Sequence, residues 1–438
     1  MKKLVIAEKP SVGRDIARVL GCKQQGKKYI EGNEYIVTWG LGHLVTLADP
    51  EGYDKKLKTW RMEDLPMMPE RFKLVVIPQT RGQFQAVKSL IERKDVAEII
   101  IATDAGREGE LVARWILAKA GNKKPLKRLW ISSVTDKAIR DGFAHLKNAK
   151  EYENLYHAAT ARAESDWLVG INATRALTCK YNAQLSCGRV QTPTLAMIAA
   201  REEEIRHFTP KPYYGLQLTG KGITFTWKDK KSGSSATFSK EKNEEIYKNL
   251  SGKTAVVAEV KKTKKTSQAE GLYDLTDLSR DANQRFGFSA KQTLNIMQSL
   301  YEHHKVLTYP RTDSRYLTND MTDTLKDRIK ACQNGSYKKA AAMLLRKEIK
   351  ASSRFINDKK VSDHHAIIPT EQYASLTSFS SDERKIYDMV VARFLAVLSA
   401  PAISEQLSVK ASINGELFRA KAENINCLLY TSPSPRDM

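Results

Sequence analysis

Two short aliphatic runs constrain this chain more than any other feature. Each ends in charged residues and is followed by a segment of helical spacing. Leu4-Val5-Ile6-Ala7 leads into Glu8-Lys9-Pro10-Ser11, with helical spacing from Val12 to Leu20. Glu98 to Ala102 leads into Thr103-Asp104-Ala105-Gly106-Arg107-Glu108-Gly109-Glu110, with helical spacing from Gly109 to Ala120. Lys73 to Ile77 is a third run of this kind. Such runs read as buried strands. Strands separated by helical segments predict a parallel α/β sheet. Sites in open α/β sheets lie beyond the carboxyl ends of the strands, so Glu8, Lys9 and Asp104 stand where chemistry is done. Carboxylates there suit Mg2+, which takes one or two of them together with substrate phosphates. If the two strands are neighbours, Glu8 and Asp104 can share one metal. Gly106 and Gly109 let the backbone approach closely.

The rest of the chain divides by pattern. From 151 to 212 it is helix-compatible, with a break near Ser186-Cys187-Gly188. From 213 to 273 it is β-rich, and the basic run Lys261-Lys262-Thr263-Lys264-Lys265 reads as a solvated connector. Helices return from 274 to 400, and alternation resumes from 401 to 426. Residues 427–438 fit no periodic element and read as a non-native tail on a truncated chain. At 438 residues the chain is too long for one compact core. The fold class expected is multidomain, α/β plus mainly α.

A net charge of +22, from 72 basic and 50 acidic residues, favours a polyanionic partner. No apolar run approaches the roughly 20 residues of a membrane span. Cys22, Cys179, Cys187, Cys332 and Cys427 form no C-x-x-C pair, which fits reduced thiols in a cytoplasmic protein rather than a disulfide framework or zinc site. Gly21 to Lys28 nearly fits a nucleotide phosphate loop, but Lys28 replaces the Mg2+-binding hydroxyl and the segment follows a helix, so ATP binding is not expected.

The segment Leu307-Thr308-Tyr309-Pro310-Arg311-Thr312-Asp313-Ser314 carries a different chemistry. A residue before proline is pushed to extended geometry, so Tyr309 is expected to end a helix or strand on a rigid turn. Arg311 follows two residues on, a permanent cation whose planar fork suits phosphate. A phenol beside a guanidinium is what attack on a phosphodiester needs. Ser186-Cys187-Gly188-Arg189-Val190-Gln191-Thr192-Pro193 reads as a phosphate seat at a helix start. Ser362-Asp363-His364-His365 offers adjacent histidines that do not share a helix face, so a two-histidine metal site is not expected; one of them can touch a phosphate.

Together, Ala7 to Ser11, Ala102 to Glu110, Gly188 to Pro193, Leu272-Tyr273-Asp274-Leu275-Thr276, Thr308 to Ser314 and His364 to Thr370 resemble, in this order, the motifs of type IA DNA topoisomerases. The resemblance implies a Toprim α/β domain over residues 1–140. Helical and β-rich core segments would follow and form part of a toroid around DNA. The implied reaction is two transesterifications: Tyr309 attacks one strand, leaving a 5′-phosphotyrosine and a free 3′-hydroxyl. A second strand passes, and the hydroxyl reseals the break without ATP. Arg311 and Lys9 would stabilise phosphate charge, and Glu8 would move a proton at the leaving 3′-oxygen. Glu8, Asp104 and Glu108 would hold Mg2+. Many members of the family read D-x-D-x-E, whereas Gly106 stands here at the middle position, which implies one functional metal ion rather than two. Ser186, Cys187, Gly188, Arg189, Val190 and Gln191 match the family's single-strand contact segment. Trp60, Trp167, Arg175 and Arg311 match further DNA contacts, with core packing the alternative for the tryptophans, and His364 is assigned to DNA with them. The partner implied is DNA, single-stranded regions first, for a monomeric cytoplasmic enzyme without membrane contact. The other reading is a truncated fragment that binds or cleaves single strands without passing one through another.

Overall fold

The computed structural model describes residues 1–425. The 427–438 segment read as a tail, Cys427 within it, and Asn426 all lie outside the described residues.

The first sheet contains β1 (Lys2–Ala7), β2 (Gln24–Gln25), β3 (Tyr29–Glu31) and β4 (Tyr35–Trp39). A separate two-stranded ladder pairs β5 (Val45–Leu47) with β6 (Leu74–Val76). β7 (Val96–Ala102), β8 (Leu126–Arg128) and β9 (Lys147–Asn148) complete the large sheet, in the order β2-β3-β4-β1-β7-β8-β9. Its centre, β4, β1, β7 and β8, is parallel. Strands buried on both faces need continuous apolar sequence, which the two runs supply. Val5, Ala7, Ile100 and Ala102 face α1 (Pro10–Val19). Leu4, Ile6, Ile99 and Ile101 face the other way, toward α2 (Arg81–Ile91) and α3 (Arg107–Ala120). α4 (Asp136–Ala144) joins the α1 face through Ile139, and the start of α5 (Glu153–Tyr181) joins the α3 face through Ala159. The Lys73–Ile77 run does form a strand, but it pairs with β5 outside the parallel sheet and is not buried.

After α5 and α6 (Gln191–Arg206), β10 (Gln217–Gly220) and β11 (Ile223–Lys228) open an antiparallel sheet. α7 (Lys240–Leu250) interrupts it, a helix that the β-rich reading did not anticipate. β12 (Val256–Ser267) follows as an edge strand. Lys261–Lys265 is therefore not a connector: every one of these residues pairs with β13 (Ala402–Ile413) while its side chain stays exposed. β14 (Glu416–Ile425) closes the sheet between β11 and β13, over a small core of Phe225, Trp227, Ile413 and Phe418. The two β-rich stretches of sequence are thus one arm.

Between them lies a helical domain of α8 (Leu275–Phe286), α9 (Ala290–Glu302), α10 (Leu325–Ala331), α11 (Lys338–Leu345) and α12 (Ser381–Leu398) around a large apolar core. Tyr309 ends neither a helix nor a regular strand. It leaves an extended stretch in which Leu307 bridges Pro369 and the Thr308 N–H donates to Ile368 O at 3.0 Å. Among the described residues no helix is long and apolar enough to cross a membrane.

Candidate active site

Ala7 of β1 lies in register with Ala102 of β7, so Glu8 and Asp104 leave adjacent strand ends, and the Asp104 N–H donates to Glu8 Oε2 at 3.1 Å. The Asp104 turn is fixed from below by a wholly buried guanidinium. Arg128 donates to the carbonyls of Thr103 at 2.8 Å and Asp104 at 2.7 Å, and to Glu110 Oε1 at 2.5 Å. Arg128 does not stand out in sequence, and although Glu110 closes the motif after β7, nothing local marks it as Arg128's partner, because a buried ion pair has no local pattern.

The helical domain closes over these strand ends. Lys9 Nζ lies 3.4 Å from Asp104 Oδ2 and 3.8 Å from the Tyr309 ring centroid. His364 Nε2 lies 3.0 Å from the same Asp104 oxygen, and its ring packs 4.3 Å from that of Tyr309. Tyr301 meets Tyr309 edge-on at 5.4 Å. The contact is pinned nearby: Thr135 Oγ1 donates to Asp320 Oδ2 at 2.8 Å, and Ser132 Oγ to Ser362 O at 3.2 Å. A cavity of about 520 Å³ opens between the domains, walled by Lys9, Asp104, Tyr301, Tyr309, Asp363 and His364.

The electrostatics separate the two acids. Burial and the neighbouring Asp104 charge raise the Glu8 pKa. Burial also opposes the Asp104 carboxylate, but the His364 hydrogen bond and charge and the Lys9 ammonium outweigh it and hold its pKa below the usual range. Burial works against the Lys9 ammonium in turn, yet Asp104, Tyr309 and Glu8 keep its pKa above the ordinary value. One acid is thus biased to hold a proton and the other to stay ionised, an arrangement suited to acid–base work beside a fixed charge. Burial pushes His365 down to about 4, leaving a neutral ring whose Nδ1 lies 2.8 Å from Ala366 O.

The other expected residues are placed unevenly. Arg311 is exposed, and among the described residues it makes no hydrogen bond or ion pair, so its fork is available. Glu108 does not join Glu8 and Asp104: its carboxylate accepts from Arg162 at 2.7 Å, with His43 at 3.8 Å. Trp60, Arg175 and Cys187 line a second cavity of about 470 Å³. There Trp60 is 44% exposed with the Arg175 guanidinium 5.0 Å from its ring, which leaves one face able to stack. Trp167 is buried, edge-on to Tyr53 and Phe72, with its N–H donated to Ala48 O at 2.9 Å. It is a packing residue, the alternative left open above. Ser186, Val190 and Gln191 are exposed and Gly188 half-buried at the start of α6, while Arg189 is held by Asp166 at 2.6 Å.

Oxygen donors at adjacent strand ends fit a hard divalent cation. Among the described residues no three Asp, Glu, His or Cys side chains form a ready-made cage. A cation here would complete its shell with phosphate oxygens and water, as Mg2+ does.

A tyrosine-bearing helical domain closed on the acidic strand ends of a parallel sheet defines a class. Residues 3–134 match the Toprim domain profile, and residues 150–431 match the DNA topoisomerase profile. The chain belongs to the type IA DNA topoisomerase family, as its motifs suggested. It is 62% identical over 424 residues to DNA topoisomerase 3 of Bacillus licheniformis, covering 97% of this chain and 58% of that protein. It is 61% identical to the Bacillus subtilis protein of the same name, with the same coverage. Topoisomerase I from Thermotoga maritima superposes with a TM-score of 0.64 over 96% of this chain and 65% of that one. At 24% identity that match speaks for the fold alone. The chain thus spans 58% of the length of these curated relatives.

Proposed function

We propose that this chain carries the cleavage and religation centre of a type IA topoisomerase acting on single-stranded regions of DNA in the cytoplasm. The observation that supports this best is the placement of Lys9 Nζ, within 4 Å of both Asp104 Oδ2 and the Tyr309 ring centroid (a phenol, a cation and an acid pair in one crevice). In the forward step the Tyr309 oxygen bonds to phosphorus, and the P–O bond to the 3′-oxygen breaks. The phenol's proton leaves to solvent, and the departing oxygen takes a proton from Glu8, whose raised pKa suits that task. Lys9 and Arg311 offset charge on the phosphoryl oxygens. Religation reverses each transfer, and because the phosphotyrosyl bond retains the phosphodiester energy, no ATP is needed. Glu8 and Asp104 are the side chains that would hold Mg2+, which would supply charge neutralisation at the phosphate. Trp60 would offer a stacking face to an unpaired base. The protein acts as a monomer. Relaxation or decatenation by strand passage belongs to the same proposal.

The test is trapping. With a single-stranded oligonucleotide, Mg2+ and a denaturing quench, the chain is expected to form a covalent adduct through the 5′-phosphate. Tyr309→Phe is expected to lose the adduct entirely, and an adduct that persists in that variant overturns the assignment. Relaxation of a negatively supercoiled plasmid, run in parallel, separates the full cycle from the fragment reading: adduct without relaxation places the activity at cleavage alone.

A further inference from the structure

Tyr301 walls the 520 Å³ cavity, and the cleavage step gives it no task. It stands on the last turn of α9, eight residues before Tyr309. The chain between them doubles back. Lys305 takes the left-handed region at φ 58°, and the Val306 N–H then donates to Leu300 O at 3.0 Å. Thr370 Oγ1 donates to Lys305 O at 2.7 Å and holds the turn from outside. The end of α9 and the extended stretch that carries Tyr309 are thus bound side by side. Their two tyrosine rings meet edge-on, with centroids 5.4 Å apart and planes at 72°, an arrangement that aromatic pairs favour.

This contact is not a by-product of core packing. Met297 and Leu300 of the same helix are wholly buried in the helical domain's apolar core, whereas Tyr301 is half-buried and stands outside it. Its hydroxyl end faces the other domain. Burial raises the Tyr301 pKa, while the Lys9 ammonium and a hydrogen bond from Ser11 act against that rise. Tyr301 therefore stands between Tyr309 and the Lys9–Ser11 turn that opens α1. The Tyr309 ring also touches Lys9 at 3.8 Å and His364 at 4.3 Å, but both of these side chains are engaged with Asp104. Lys9 precedes α1 and His364 lies outside any helix, whereas Tyr301 is carried by α9. Of these three neighbours it has the most rigid support, and it is the one with no charge to give to a phosphate.

We propose that Tyr301 is a positioning residue for the Tyr309 nucleophile, its ring holding the Tyr309 ring in the orientation from which the phenol oxygen reaches phosphorus. The proposal rests on the cleavage reaction described above and adds a residue to it. Its physical basis is the steep dependence of an attack on alignment, where a displacement of about 1 Å can cost about a hundredfold in rate. Lys9 can leave the Tyr309 ring for an entering phosphate while the Tyr301 contact stays in place. Tyr301 touches no reacting atom, so it acts on the rate at saturation and not on strand binding.

The test is single-turnover adduct formation with a single-stranded oligonucleotide and Mg2+, over a range of chain concentrations, giving a saturating rate and a half-saturating concentration. Tyr301→Leu and Tyr301→Met remove the ring. Each is expected to lower the saturating rate about tenfold or more, with the half-saturating concentration within about twofold of the parent. Tyr301→Phe restores the ring and is expected to recover the rate to within about threefold, the remainder being one modest hydrogen bond. It should also keep the parent's pH profile, because positioning moves no proton. Thermal unfolding checks that each variant is folded. A folded ring-less variant with the parent's saturating rate overturns the proposal. So does a loss confined to the half-saturating concentration, or a Tyr301→Phe variant as slow as Tyr301→Leu. If the parent itself forms no Tyr309 adduct, it is the functional reading that fails.

Discussion

The crevice and the arm are built by opposite rules. At the crevice two domains meet through specific polar contacts over closed apolar cores. Lys9, Asp104, Tyr309 and His364 touch one another although they come from distant parts of the chain. In the arm and its approach, α6 has no buried residue, and β12 is exposed along its whole length. Leu195, Met197 and Ile198 are each more than half exposed. The described chain thus fixes the geometry of its reactive residues internally, while it leaves large surfaces of the arm uncovered. Substitutions should follow this division: severe below the strand ends, mild on the arm.

The strongest stability effect is expected beneath Asp104. Arg128 is wholly buried and paired with Glu110, which Arg114 also contacts at 2.8 Å. Breaking a buried pair by removing one partner costs about 3–5 kcal/mol. Arg128→Met should fall in that range by denaturant unfolding, and it should also reduce adduct formation, because the Thr103 and Asp104 carbonyls lose their donor. A loss below about 1 kcal/mol would be the behaviour of an exposed pair, and would remove the basis for treating the strand ends as a rigid platform.

How much of this was legible in the sequence follows from the range of each interaction. The ends of β1 and β7 were readable because an aliphatic run and the charged residue after it are local. The reactivity of the Tyr309 segment was readable for the same reason, but its conformation was not. Thr308 donates to Ile368, and no local pattern announces a partner so far along the chain. The same holds for Lys261–Lys265, whose side chains are solvated as a connector's would be while their backbone pairs with β13. α7 was missed because KEKNEEIYKNL carries too little apolar periodicity to mark a buried face. Trp167 invited a stacking role by residue type, and only Ala48, Tyr53 and Phe72 around it decide for packing. Gly106 was seen as a missing carboxylate, and no local pattern shows that Asp363 of the helical domain lies where its Cβ would project.

An intermediate effect is expected at Glu383, which anchors α12 inside the helical domain. Burial opposes its charge, but Ser299 Oγ at 2.6 Å, the Ser380 N–H at 2.8 Å and His304 at 3.3 Å outweigh it and bring its pKa down to about 2. A depressed carboxylate stabilises the fold above its unfolded pKa near 4.5, and that contribution disappears as pH falls through the folded value near 2. Glu383→Gln should therefore cost about 1–2 kcal/mol at pH 7, after allowance for solvent screening. The difference from the parent should shrink steadily below pH 4.5 and vanish near pH 2. A pH-independent difference would mean that packing, not charge, carries the effect.

The smallest effect is expected on the arm's approach, and it is the one that tests the comparison itself. Leu300 of α9 is wholly buried, whereas Leu195 of α6 is 66% exposed. Truncating a buried leucine to alanine costs about 2–5 kcal/mol through lost transfer energy and the cavity left behind. The same change on a solvated helix face should stay within about 0.5 kcal/mol, and alanine's higher helix propensity pushes it toward zero. Leu300→Ala and Leu195→Ala, unfolded side by side in denaturant, should therefore separate by about 2 kcal/mol or more. If Leu195→Ala instead costs more than about 1 kcal/mol, something covers α6 in solution. Repeating the measurement over a range of protein concentrations then decides whether that cover is a second copy of the chain, since a self-associating face makes apparent stability rise with concentration.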